Sequence, residues 1–136
     1  MAANLDIHKR EKEGITIFDL KGRLIVGDPC TLLRDAITKE IAEKNYRLIL
    51  NLEHVDYIDS TGLGSMVICF TSIQKAGGAL KLVKLNRRNI ELLLLTKLST
   101  VFELFEDDQD AVNSFFPERE IKRFDILSFV QQHKGS

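Results

Sequence analysis

The chain has 136 residues, 44% of them hydrophobic and 29% charged, a length and balance that fit one globular domain and exclude a disordered chain. Nineteen Lys and Arg against twenty Asp and Glu leave a net charge of −1, which excludes the broad positive field that nucleic-acid or anionic-membrane binding draws on. The two cysteines, Cys30 and Cys69, are isolated and make no disulfide framework. The start of the chain lacks an apolar leader and no apolar run reaches about 18 residues, so the expectation is a cytoplasmic protein whose partners are proteins or small molecules.

Leu5–Lys9 and Ile15–Leu20, separated by the turn-prone Lys12-Glu13-Gly14, predict a β-hairpin. Gly22 then allows a bend into a short third strand near Leu24-Ile25-Val26. Asp28 before Pro29 reads as the N-cap of a helix whose inward positions are Leu33, Ile37 and Ile41. Arg47–Leu52 is nearly continuous in apolar residues, as a central strand covered on both faces requires, and runs into a polar loop over Glu53–Asp59.

Leu63, Met66, Val67, Phe70 and Ile73 mark a second helix that stops at Gly77-Gly78, and Leu80–Leu85 supplies the next strand. A third helix carries Ile90, Leu93, Leu94 and Leu98. Val101–Phe105 reads as an edge strand, and Asp107 or Asp108 caps a fourth helix with Val112 and Phe115 inward. The alternation predicts an α/β fold: a mixed sheet of about five strands with four helices packed on it. Pro117 ends that domain, 1–117, and 118–136 forms an amphipathic C-terminal extension helix that docks on it.

One segment stands apart, Asp56-Tyr57-Ile58-Asp59-Ser60-Thr61-Gly62-Leu63-Gly64. It leaves a strand and enters a helix, so it lies where α/β proteins place binding sites. Asp59, Ser60 and Thr61 suit helix capping, but a cap alone gives no reason for two glycines in a first turn, where each costs about 1 kcal/mol relative to alanine. Dinucleotide and P-loop readings fail on spacing, since a glycine is missing at Val67 and no Gly-Lys-Ser/Thr occurs. A serine hydrolase would place glycines two residues to either side of Ser60, and here Gly62 stands on one side but Ile58 on the other. His8, His54 and His133 are scattered, and Glu106, Asp107, Asp108 and Asp110 suit a first helical turn better than a metal site. Arg87-Arg88 beside Lys84 reads as a solvated face. No cofactor or metal is called for.

Residues 5 to about 116 resemble the STAS domain of bacterial anti-sigma-factor antagonists. The resemblance rests on element order and on Asn51-Leu52, Val55 and Ile58-Asp59-Ser60-Thr61-Gly62-Leu63-Gly64, with further matches at Gly22-Arg23-Leu24, Gly77-Gly78 and Leu98–Phe105. It implies a STAS-type fold and a non-catalytic, partner-switching module. The unmodified domain captures an anti-sigma factor that is a serine kinase of the GHKL type, the kinase phosphorylates the serine after the aspartate, here Ser60, and a PP2C-type phosphatase reverses this. The partner-binding residues it implies are Asp59, Ser60, Thr61, Gly62, Leu63 and Gly64. Ile25 stands at a position that is acidic in many antagonists, with Asp28 three residues on. An alternative within the resemblance is a scaffold or small-ligand or anion-sensing STAS domain without phosphate switching. Neither reading involves nucleic acid or a membrane, and self-association is expected to be a weak homodimer at most.

Overall fold

Strand β1 (Leu5–Lys12) returns as strand β2 (Ile15–Leu24) through Glu13 and Gly14. Both turn residues have positive φ, 53° and 81°, the combination whose twist matches a two-residue hairpin. This is the computed structural model of the chain, and it describes residues 5–120 and 124–134. Residue Ile121 of the predicted extension lies outside the described residues.

The separate third strand expected near Leu24 is the end of β2 itself. Gly22, at φ 119°, sits between two register shifts, at Asp19/Lys21 and Gly22/Arg23, so a bulge bends the strand without ending its pairing. Helix α1 (Asp28–Ala42) is capped by Gly27, with φ 99°, rather than by Asp28. The Gly27 carbonyl accepts the Thr31 N–H at 3.2 Å, and Asp28 stands in the first turn, where its charge faces the positive end of the helix.

Strand β3 (Arg47–Ile58) is twice the predicted length. Its second half pairs with the bulged end of β2, Lys21 opposite His54 and Leu24 opposite Ile58. That half reads as a polar loop because strand β4 (Ala79–Val83) accompanies β3 only over Arg47–Asn51. Beyond that point Val55 and Ile58 stay buried while Glu53, His54, Asp56 and Tyr57 face outward.

Helix α2 (Ser60–Lys75) precedes β4; helix α3 (Arg87–Leu95), a 3-10 turn at Leu98–Thr100, strand β5 (Leu104–Phe105), helix α4 (Asp108–Asn113) and helix α5 (Ile126–Lys134) follow it. The third helix therefore stops before Leu98, and the edge strand is two residues long instead of five. Asp107 caps α4, its carboxylate accepting the Asp110 N–H at 2.8 Å. The five strands lie in chain order, β1 antiparallel to β2 and the others parallel. Among the described residues no helix is long and apolar enough to cross a membrane.

Alternation along the strands divides the core in two. Phe18, Leu20, Leu48, Leu50, Leu52, Leu80 and Leu82 pack under α1 and α2 with Leu33, Ile37, Met66 and Ile73. Ile15, Ile17, Ile49, Val83 and Phe105 face Ala111 and Val112 of α4. Each such aliphatic side chain contributes about 1.5–3 kcal/mol by leaving water. The α4 face also holds polar groups, and one of them, Asp108 Oδ1, is buried without a hydrogen bond, with Lys84 Nζ 3.9 Å away. The Lys81 ammonium donates to Ser114 Oγ at 2.8 Å and lies 4.3 Å from the Phe115 ring. Arg10 bonds Asp19 at 2.7 Å and also reaches Asp108, tying β1 to α4. Burial pushes the Asp19 carboxyl up, but hydrogen bonds from Arg10 and Asn51 outweigh it and leave the group below its ordinary range.

Cys30 and Cys69 are free thiols buried under α1 and α2. Burial pushes the Cys69 thiol up to about 12, so it holds its proton and is a poor nucleophile. Both cysteines are expected to resist Ellman's reagent in the native chain at about pH 8 and to react once the chain is denatured. Rapid native labelling of either would show that the layer under α1 and α2 opens.

Candidate functional site

The end of β3 fixes the start of α2. Asp59 donates its N–H to Leu24 O at 3.2 Å, one hydrogen bond past the Leu24–Ile58 pair. The chain then turns into the helix, with Asp59 in extended conformation as N-cap. Asp59 Oδ1 accepts the Gly62 N–H at 2.7 Å and Oδ2 accepts the Val26 N–H at 3.0 Å. One carboxylate thus satisfies a first-turn donor of α2 and clamps the loop between β2 and α1. The Gly62 N–H, followed by that of Val26, holds the Asp59 carboxyl below its ordinary range.

The two glycines of the first turn stand in opposite surroundings. A Cβ on Gly62 would lie 2.1 Å from Leu24 O and 2.8 Å from the Leu24 carbonyl carbon, so close contact with the backbone of β2 requires glycine there. A Cβ on Gly64 would have nothing within 4 Å. Among the described residues no contact accounts for glycine at 64.

Of the predicted partner-binding residues, Ser60, Thr61 and Gly64 are exposed and Asp59 is half-buried, whereas Gly62 and Leu63 are buried. Leu63 belongs to the core under α1 and α2, because its place in the helix turns it toward the sheet while Ser60 and Gly64 turn out. Two exposed apolar residues that the motif did not indicate adjoin this turn. Val26 is 64% exposed beside Asp59, and Ile68 is 51% exposed. Ile68 continues the row Ser60, Gly64, Ile68, a four-residue spacing on one helix face that the sequence already contained.

Some of the polar side chains at this end of the sheet have neighbours within the domain. His54 lies 3.6 Å from Glu53, Arg87 bonds Glu91 at 3.1 Å and Arg88 stands 5.4 Å from the Tyr57 ring centroid. Asn86 and Asn89 donate to Val55 O at 3.0 and 2.9 Å, closing the part of β3 that β4 leaves uncovered. Chemically, the site offers an exposed hydroxyl at the positive end of a sixteen-residue helix, a position that tolerates an added anion.

Replacing Asp59 by Ala is expected to lower stability by about 1 kcal/mol at neutral pH, the usual worth of such a cap. A depressed folded pKa means that this contribution is fully present above the unfolded value, about 3.9, and is lost as pH falls through the folded value. Melting curves of wild type and Asp59→Ala should therefore stay apart at neutral pH and converge in acid. A gap independent of pH would assign the effect to something other than the carboxylate.

Comparison with known proteins bears on this geometry. The family model described as STAS domain matches residues 6–111. The chain is 30% identical over 109 residues to the anti-sigma-B factor antagonist of Bacillus subtilis, a match covering 80% of this chain and 98% of that protein. An anti-sigma factor antagonist from Mycobacterium paratuberculosis superposes with a TM-score of 0.69 at 20% identity, over 81% of this chain and 92% of the other. The phosphorylated form of the Bacillus cell fate determinant SpoIIAA gives 0.64 at 15% identity, over 81% and 99%. These last two are likenesses of fold.

Proposed function

This chain belongs to the STAS domain family, and from that premise we propose that it is an anti-sigma-factor antagonist, a cytoplasmic binding module whose hold on an anti-sigma factor is released by phosphorylation of Ser60. The observation that carries the reading is Ser60 itself, an exposed hydroxyl at the N-terminus of α2 with Asp59 locked beside it. The proposed partner is a serine kinase of the GHKL type, reversed by a PP2C-type phosphatase, and the contact surface is Asp59, Ser60, Thr61 and Gly64 with the exposed apolar Val26 and Ile68 beside them. Gly62 and Leu63 serve this surface from beneath by setting the path of the turn.

The physical switch is local. Phosphate adds about −1.5 to −2 charges and three acceptor oxygens at one position. In the free domain the helix dipole favours it by about 0.3–1 kcal/mol. In the complex the same group is buried against a surface fitted to a hydroxyl, where an unpaired charge is costly. The module acts by binding rather than by catalysis. This is supported by Asp59, whose two carboxylate oxygens are taken up by backbone N–H groups.

The reading is tested by incubating the purified chain with ATP and a soluble lysate of its host, phosphatases inhibited, and mapping phosphate by peptide mass spectrometry. Phosphate on Ser60, lost in Ser60→Ala, is the expected result. Its absence in a lysate that phosphorylates other proteins would overturn the switch and favour a scaffold or ligand-sensing role.

A further inference from the structure

The two edges of the sheet are protected in different ways. Of the eight residues of β1 only Leu5 and Ile7 are apolar, and the other six are charged or histidine, a composition that discourages pairing with another strand. The opposite edge is Leu104–Phe105, apolar and without a charge of its own. What covers it is the extension. Phe124 donates its N–H to Leu104 O at 3.0 Å, adding one rung to the sheet, and Phe124 and Ile126 pack on the core under α1 and α2.

Open clefts flank this cover. Phe124 forms a wall of an open cleft of about 130 Å³ with Leu85, Ile90, Leu104 and Phe105, together with the charged Lys84 and Glu106. It also lines a second of about 260 Å³, which includes Thr100, Phe102 and Ile126. Leu127, next along α5, is 71% exposed. The STAS match ends at residue 111, so the cover lies outside the part of the chain that defines the family.

We propose that the groove along β5 is a binding site for an aromatic-x-aliphatic segment that enters a helix, held in cis by Phe124-Asp125-Ile126 at the start of α5 and available in trans to the same segment of a second copy once the cis contact is broken. The occupant follows from the fit already present: a backbone N–H for Leu104 O, a ring between the two clefts and an aliphatic side chain on the first residue of α5. A tethered segment competes at an effective concentration on the order of millimolar, so the intact chain keeps the groove closed to copies at micromolar concentration.

The test uses the full chain carrying Phe124→Ala and Ile126→Ala, with a fluorescein-labelled peptide of residues 118–136 in wild-type sequence as probe. Fluorescence anisotropy should show saturable binding to the variant, at least about tenfold weaker binding to the wild-type chain, and none by a peptide bearing the same two alanines. If the double variant does not melt cooperatively, the single variant Phe124→Ala replaces it. A folded variant that leaves the peptide free, or equal binding to variant and wild type, would overturn the proposal. Ser60 takes no part in this groove, so the outcome is separable from that of the antagonist reading.

Discussion

Replacing Ser60 by Asp is expected to weaken binding of the anti-sigma factor by about a hundredfold, with the melting curve of the free chain unchanged or slightly raised. The stability half follows from position. Ser60 is exposed in the first turn of α2, where a carboxylate gains from the helix dipole. The binding half follows from the proposed contact: burying a charge opposite a surface built for a hydroxyl costs about 2–5 kcal/mol at an interface. Ser60→Ala should bind within a few-fold of wild type and be insensitive to ATP. Isothermal titration with the purified partner, together with circular dichroism melts, separates the two halves. Equal affinity for Ser60→Asp and Ser60→Ala would remove Ser60 from the contact.

The second large effect distinguishes the glycines. Gly62→Ala places a methyl 2.1 Å from Leu24 O. That oxygen also accepts the Asp59 N–H, so the methyl can be admitted only by moving β2 and α2 apart and weakening the cap. A loss of about 3 kcal/mol is expected, at the upper end for overpacking, because the obstacle is backbone rather than a movable side chain. Gly64→Ala meets nothing within 4 Å and should gain about 1 kcal/mol from helix propensity. The same variant should weaken partner binding, since the proposed contact brings a partner's backbone close to Gly64. Urea unfolding of both variants checks the contrast. Two variants of equal stability would mean that the crowding at Gly62 is relieved at little cost.

Much of this architecture was legible from pattern. The period-two and period-3.6 runs located the sheet and helices, and the Asp-Ser-Thr-Gly-Leu-Gly run located the turn. What failed did so for identifiable reasons. Glu53–Asp59 reads as a loop because β4 stops opposite Asn51 and leaves that half of β3 covered on fewer sides. Asp28 reads as a cap because it precedes Pro29, yet Gly27 takes the position with a φ open to glycine. The clamp from Asp59 to Val26 spans 33 residues and carries no local signal. The two glycines look alike in sequence, and only the path of β2 past Gly62 separates them. Phe124 and Ile126 were legible as apolar positions, but not the strand edge they cover.

In the proposed switch, one phosphoryl group on Ser60 decides whether the partner is held. The most direct measurement titrates one anti-sigma factor preparation against the chain phosphorylated to completion on Ser60 and against the same material after phosphatase treatment. The account predicts affinity at least about a hundredfold weaker for the phosphorylated chain, restored in full by dephosphorylation, with both forms melting as folded domains. Equal affinity of the two forms would contradict it.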